Sequence, residues 1–367
     1  MMDPIMRLIG GMRVGKNYNR HRVMIVIGGL CCLVGWMTHR IIQLSTTPKK
    51  SRLMDLRQEY LKRQRSLPQM LSDMSLTSLK DVSSDNTEGG IPFFWVIPKS
   101  GTSSIKSIMI KCLNLRAATS NSQIKYDDYP DELKVVENNY VNVNFGFLDG
   151  IEKASRLHMA ESGLVDVAVT SYFHPAINEV FSTDHPGRMF AMFRHPVRRL
   201  VSDFYYQQIA SWEATYDERI QSMTLLDYAT HHHTDNWMVR MLANVHGKHV
   251  TANDLHFAKH VIKNKCLVLL MEEFDESVDR LLTYMNWQDH IDPSHIDPVT
   301  NDNQCLDAFE HRTPSNKNEH PDIEPGSEEW ETLKGKNEYD VILYHYAKSL
   351  FANEQKELID TLKSQQQ

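Results

Sequence analysis

The sequence predicts an α/β fold in which a central parallel sheet is flanked by helices, carried by residues 91–367. Three observations predict it. Apolar runs at 93–97 (FFWVI), 165–170 (VDVAVT), 189–193 (MFAMF) and 266–271 (CLVLLM) have strand length and bulky composition. A polar turn and a stretch of helical apolar spacing follow each run, the pattern of βαβ units. The runs themselves are near-continuously apolar, as expected of strands buried on both faces. Ligands of such sheets sit outside the strand C-terminal ends, which places Lys99, residues 171–174 and Arg194 along one edge.

The first strand leads into Pro98, Lys99, Ser100, Gly101, Thr102, Ser103 and Ser104. Pro98 ends the strand and Gly101 permits a sharp turn. Residues 103–113 are good helix formers with a Ser/Thr-rich start suited to capping. Strand, tight polar loop and helix start expose unpaired N–H groups and a positive dipole end, a ready anion site. A lysine and four hydroxyls beside it favour phosphate. The loop is not a Walker A motif, where the lysine follows the second glycine; here Lys99 precedes the only one. A helix after a core strand, with nothing bound, stays open at this point.

Charge divides the 367-residue chain, whose net charge is −7. Residues 1–90 hold 14 Lys/Arg against 7 Asp/Glu, and the remainder holds 26 against 40. The basic part reads as a tail or anchor and the acidic part as the folded body. Such a body argues against nucleic acid as partner, because phosphate contacts need a basic face. The apolar run 23–37 (VMIVIGGLCCLVGWM) follows Arg7, Arg13, Lys16, Arg20 and Arg22, and no small-residue cleavage pattern succeeds it. It is short for a membrane span. We read 1–22 as a cytosolic basic tail and 23–39 as an uncleaved signal anchor with the body lumenal. A basic transit peptide is the competitor. Residues 40–90 read as stalk and linker. Leu53, Leu56, Tyr60 and Leu67 fall at helical spacing that allows self-association into a homodimer, and the Ser-rich 72–90 reads as flexible.

The second informative stretch is 189–206 (MFAMFRHPVRRLVSDFYY). A core strand ends on Arg194, Pro196 starts the next helix, and Ser202 lies about two turns in. A Walker-type enzyme would place an Asp at that strand end to hold magnesium. Arg194 instead points to a guanidinium neutralising a second phosphate. A salt-bridged Arg is the bland alternative.

Together the two stretches resemble the sulfotransferases that use 3′-phosphoadenosine 5′-phosphosulfate, whose fold is P-loop NTPase-like. Further matches at 235–242 (DNWMVRML), 255–259 (LHFAK), 269–277 (LLMEEFDES), 311–313 (HRT), 337–340 (NEYD) and 344–347 (YHYA) resemble the Golgi membrane-bound carbohydrate branch, related to heparan sulfate O-sulfotransferases. The resemblance covers most of 91–355 but finds no match in 114–164. It implies a single-pass type II Golgi membrane protein acting on a glycan or glycoconjugate. Ser100, Gly101, Thr102, Ser103 and Ser104 would cradle the 5′-phosphate, and Lys99 would stabilise charge on the leaving phosphate. Arg194 and Ser202 would hold the 3′-phosphate, with Arg312 and Thr313 closing over it from a late loop. Sulfuryl transfer of this kind needs no metal. His174 is the expected base, with Glu179 and His158 in reserve. The alternatives are a P-loop kinase-like nucleotide enzyme and an inactive Golgi protein that keeps the nucleotide fold.

Other features read as bland. His231, His232 and His233 point in different directions, without a cysteine cluster, and do not form an expected metal site. His195 reads as structural. Tyr205, Tyr206, Tyr284 and Trp287 read as core; Trp212 reads as core or as the edge of a glycan cleft. Cys31 and Cys32 lie in the apolar run, so Cys112, Cys266 and Cys305 allow at most one internal disulfide, with Cys266 expected as a buried thiol. The chain has no Asn-x-Ser/Thr acceptor, which counts mildly against the lumenal assignment.

Overall fold

In the computed structural model a five-stranded, all-parallel sheet forms the centre, with strand order β2-β3-β1-β4-β5. The structure describes residues 76–83, 89–128, 131–213, 216–231, 235–291, 305–306 and 320–366. The strands are β1 (Ile91–Trp95), β2 (Ala117–Ala118), β3 (Val167–Thr170), β4 (Gly187–Phe193) and β5 (Cys266–Leu270). Four were expected. The fifth, β2, is a two-residue Ala-Ala edge strand with none of the bulky residues that mark a strand in sequence. The α/β reading with a central parallel sheet therefore stands.

Parity along the strands sorts the core into two layers. Phe93, Trp95, Ala168, Met189, Ala191, Phe193, Val268 and Leu270 face one side. Phe94, Val167, Val169, Phe190, Met192, Leu267 and Leu269 face the other. Side chains alternate across a strand, so every second residue feeds each layer, and apolar residues at both parities require helices on both faces. The first layer packs α3 (Phe173–Glu179), α6 (Trp237–Ala243), α7 (Ala252–Lys265) and α10 (Glu338–Ala352). The second packs α1 (Thr102–Ser107), α8 (Phe274–Met285) and α11 (Glu354–Gln366). Beside them α4 (Pro196–Gln207), α5 (Leu225–His231) and α9 (Glu328–Lys336) share a smaller apolar cluster, while α2 (Leu148–Arg156) adds Ile151 and Ala154 to the first layer.

Three particulars fix the frame. Trp95 is fully buried, stacks on Trp237 with ring centres 6.0 Å apart, and donates from Nε1 to the Ser171 carbonyl at 3.2 Å. Removing so large a buried side chain costs about 3–5 kcal/mol. The Asp340 carboxylate accepts from the backbone N–H groups of Met238 and Val239 at 3.0 and 2.9 Å, tying α10 to the start of α6. On edge strand β5 the buried Gln355 side chain accepts from Val268 N and donates to the Cys266 carbonyl, both at 2.8 Å.

Several expectations change. Residues 76–83, read as linker, belong to the body. Leu79 bridges to Gly187, Leu76, Leu79 and Val82 are buried, and Lys265 pairs with Asp81 at 2.8 Å. Their Ser-rich context hides three apolar residues spaced every third position. The helix after the loop is regular only to Ser107, and Ile108–Cys112 continues in a wider winding closed by Leu113 N–H to the Ile108 carbonyl at 3.0 Å. Cys112 bonds to Cys305, leaving Cys266 a buried thiol whose pKa burial pushes up. No helix among the described residues is long and apolar enough to cross a membrane. The expected anchor 23–39, the homodimerising stalk helix, Arg312 and Thr313 lie outside the described residues.

Candidate functional site

The site is built where β1 and β4 end side by side. Their register pairs Phe94 with Phe190, so residues after Trp95 and Phe193 emerge at the same edge. Val96 N–H still bonds the Thr170 carbonyl at 2.9 Å, holding the chain in line until Ile97. Lys99 then takes φ 65° and Gly101 φ 76°, two left-handed residues that fold the loop back into α1. A Cβ at Gly101 would fall 2.7 Å from Met271 Sδ and 2.9 Å from Met192 Sδ, so glycine is needed for space as well as for conformation.

The expected Ser/Thr cap is absent. Gly101 occupies the N-cap position and no side chain caps α1. The turn demands a left-handed residue there, and Ser or Thr takes that conformation poorly. Thr102 Oγ1 instead lies 3.4 Å from the Ile97 carbonyl, and Ser103 is exposed. Ser100 is buried, and its Oγ has no hydrogen-bond partner among the described residues. An orphan hydroxyl inside an uncapped loop fits an anion that brings its own oxygens.

Arg194 joins this loop directly. Its Nη1 donates to the Lys99 carbonyl at 3.1 Å, so the two charged strand ends meet. Burial lowers the pKa of Arg194, against nearby Glu272 and Asp322, which raise it. Lys99 Nζ rests 3.7 Å from the centre of the Tyr206 ring. Its pKa is lowered chiefly by burial, with Asp203 and Glu213 pulling it up and Arg194 pushing it down. Ser202 stands half-buried on α4, one turn before Tyr206.

His174 lies in the first turn of α3, at the C-terminal end of β3 and on the expected edge. It is buried, with Nε2 2.9 Å from the Leu242 carbonyl. A carbonyl only accepts, so Nε2 carries the proton and proton acceptance falls to Nδ1. The reserve candidates lie elsewhere. His158 precedes β3, at the opposite edge, and pairs with Glu161 at 2.9 Å; Glu179 is exposed at the far end of α3. His195 is structural, as read. Its N–H donates to Glu272 Oε1 at 3.1 Å, its ring stacks on Trp330, and burial holds its pKa down to about 4.

Sequence reading missed the lining around Lys99. Tyr206 was assigned to the core, although its spacing one turn beyond Ser202 puts it on the same helix face. Trp212 is 69% exposed, which excludes the core reading. Lys106, on α1, donates to the Ser120 carbonyl at 3.1 Å, and burial lowers its pKa. No group of three or more metal-ligating side chains occurs among the described residues. Comparison with protein-family models and with curated proteins returns no match.

Proposed function

We propose that this chain is a sulfotransferase that moves a sulfuryl group from 3′-phosphoadenosine 5′-phosphosulfate to a hydroxyl of a carbohydrate. The observation that supports the reading is the Arg194–Lys99 contact, which joins at one strand edge the two elements that we assign to phosphate binding. A single phosphate would need only the loop; a guanidinium on the neighbouring strand end supports a ligand with phosphates at two places. Ser100, Gly101, Thr102, Ser103 and Ser104 take the 5′-phosphate, and Arg194 with Ser202 takes the 3′-phosphate. The buried Ser100 Oγ, without a hydrogen-bond partner among the described residues, supports assigning this loop to the co-substrate.

In the reaction the acceptor hydroxyl oxygen attacks sulfur while the sulfur–oxygen bond to the 5′-phosphate breaks. Lys99 leaves the Tyr206 face to stabilise the charge collecting on the departing phosphate. The hydroxyl proton passes to His174 Nδ1 as the oxygen–sulfur bond forms. Positioning and charge stabilisation supply most of the rate, as in phosphoryl transfer. The Cys112–Cys305 disulfide supports an oxidising compartment, in line with a lumenal body on a Golgi type II anchor at 23–39.

Calorimetric titration of the full-length protein with 3′-phosphoadenosine 5′-phosphate, and in parallel with ATP and magnesium, tests the proposal. Metal-independent binding that drops about 100-fold in Arg194→Ala is expected, the loss of a paired buried charge contact. Preference for ATP with magnesium would overturn the reading in favour of a kinase-like enzyme. Binding without turnover on any glycan would favour the inactive nucleotide-fold protein.

A further inference from the structure

The turn after α4 presents an aromatic surface that the reaction scheme does not use. Ile209 is 52% exposed and Trp212 69% exposed, while Ala210 between them is buried and anchors the turn. Backbone bonds from Ile209 and Ala210 to the Tyr206 carbonyl, at 3.1 and 3.0 Å, and from Glu213 to Ala210, at 3.0 Å, hold it rigid. Trp212 meets Tyr206 edge to face with ring centres 6.3 Å apart. Tyr206 in turn covers Lys99 Nζ and donates from its hydroxyl to Glu213 Oε1 at 2.5 Å. Burial and the Glu213 bond push the Tyr206 pKa up to about 12, so this hydroxyl stays a donor and Glu213 the acceptor.

An unbroken path thus runs from the Lys99 ammonium through Tyr206 to an open indole. Leaving a tryptophan in water forgoes the stabilisation that burial of a large apolar side chain supplies. Ile209 and Trp212 lie exposed in one turn with Glu213 beside them, an apolar surface with a polar rim. A carboxylate stands beside this indole, and Glu213 makes only the Tyr206 side-chain hydrogen bond among the described residues. A pyranose has the complementary pair of surfaces, an apolar C–H face and a rim of hydroxyl donors. A sulfated or uronate sugar would bring its own negative charge against Glu213 and against Asp203, which also acts on Lys99.

We infer that Tyr206, Trp212 and Glu213 form the acceptor subsite, and that the acceptor there is an uncharged pyranose. Trp212 takes the C–H face, the free oxygen of Glu213 takes a ring hydroxyl, and another hydroxyl is turned toward Lys99. As the acceptor side of a transfer, this rests on the sulfotransferase reading; as a sugar-binding surface, it does not.

The test measures equilibrium binding of the full-length protein to uncharged oligosaccharides (lactose, N-acetyllactosamine, chitotriose and maltotriose) and to heparin and chondroitin. It is repeated with Trp212→Ala, Trp212→Phe and Glu213→Gln, each also titrated with 3′-phosphoadenosine 5′-phosphate. An uncharged oligosaccharide is expected to bind, about tenfold more weakly to Trp212→Ala, with partial recovery in Trp212→Phe and unchanged nucleotide affinity. Glu213→Gln is expected to relax the discrimination against heparin and chondroitin. Saccharide binding that depends on Trp212 in a protein that binds no nucleotide supports the subsite and sinks the sulfotransferase reading. Equal saccharide affinity in Trp212→Ala, a parent preference for the anionic chains, or binding of none of the panel overturns the inference. So does a Trp212 dependence seen only with phosphatidylcholine vesicles.

Discussion

Two helix starts in this molecule share a backbone and differ in what answers it. At α1 the N-cap is Gly101, with φ 76°. At α6 it is Asn236, with φ 47°. Both residues are left-handed, and each stands at the point where the first N–H groups of a helix lack partners within the helix. At α6 that point holds the Asp340 carboxylate, bonded to Met238 and Val239 N–H. At α1 no side chain among the described residues caps the helix, and the buried Ser100 hydroxyl has no partner among them. The same backbone arrangement is closed by a carboxylate of the chain at α6 and by no side chain among the described residues at α1. A carboxylate so placed makes structure; under the proposed function a phosphate of the co-substrate would take the corresponding place at α1.

The largest way to break the comparison is to remove the resident anion. Asp340→Ala leaves two N–H groups and the nearby Arg199 charge without their carboxylate, and a loss of about 3–5 kcal/mol in urea unfolding is expected. Asp340→Asn separates shape from charge. Burial raises the Asp340 pKa to about 6, with Arg199 and the two N–H groups opposing. The folded state therefore holds this proton more tightly than the unfolded state. The contribution is fully present below about pH 4 and is lost as pH rises through about 6. Relative to Asp340→Asn, the parent is expected to lose about 2–3 kcal/mol between those values, read from unfolding curves at each pH.

Lys99→Ala acts on the other helix start and is expected to do the reverse. Turnover should fall about 100- to 1,000-fold, with little change in melting temperature, because the lost interaction is made only as charge develops. A melting shift as large as that of Asp340→Ala would erase the distinction. Gly101→Ala sits between the two. Its left-handed backbone and the two methionine contacts predict about 1–2 kcal/mol of destabilisation together with weaker nucleotide binding. The mildest change is Thr251→Ala at α7, where Thr251 and Asp254 form a reciprocal capping box. About 1 kcal/mol should go, with nucleotide affinity untouched in the same titration.

The long apolar strands were legible because strands buried on both faces are largely apolar, as in β4, where all seven residues are buried and Arg188 is the one charged residue. Strand β2 was not, because two alanines at an edge carry no such signature. The loop was legible from Pro98 and Gly101, which declare a strand end and a turn. Its cap was misread because Ser and Thr near a helix start are commonly caps, and only the φ of Gly101 decides otherwise. The meeting of Lys99 with Arg194, 95 residues apart, follows from parallel pairing of β1 with β4 and was expected from the strand-end rule. Tyr206 was misassigned, and Trp212 was left between core and cleft, because aromatic residues at helical spacing read alike in either place. Only the position of α4 against the loop separates the two cases.

Gln355 has a consequence beyond the fold. Strand β5 is five apolar residues at the border of the sheet, the kind of segment that invites a strand from another molecule. The Gln355 amide engages the Val268 N–H and the Cys266 carbonyl as a neighbouring backbone would, and so withdraws both from intermolecular pairing. Its loss should be felt less in melting temperature than in the protein concentration at which solutions stay monodisperse.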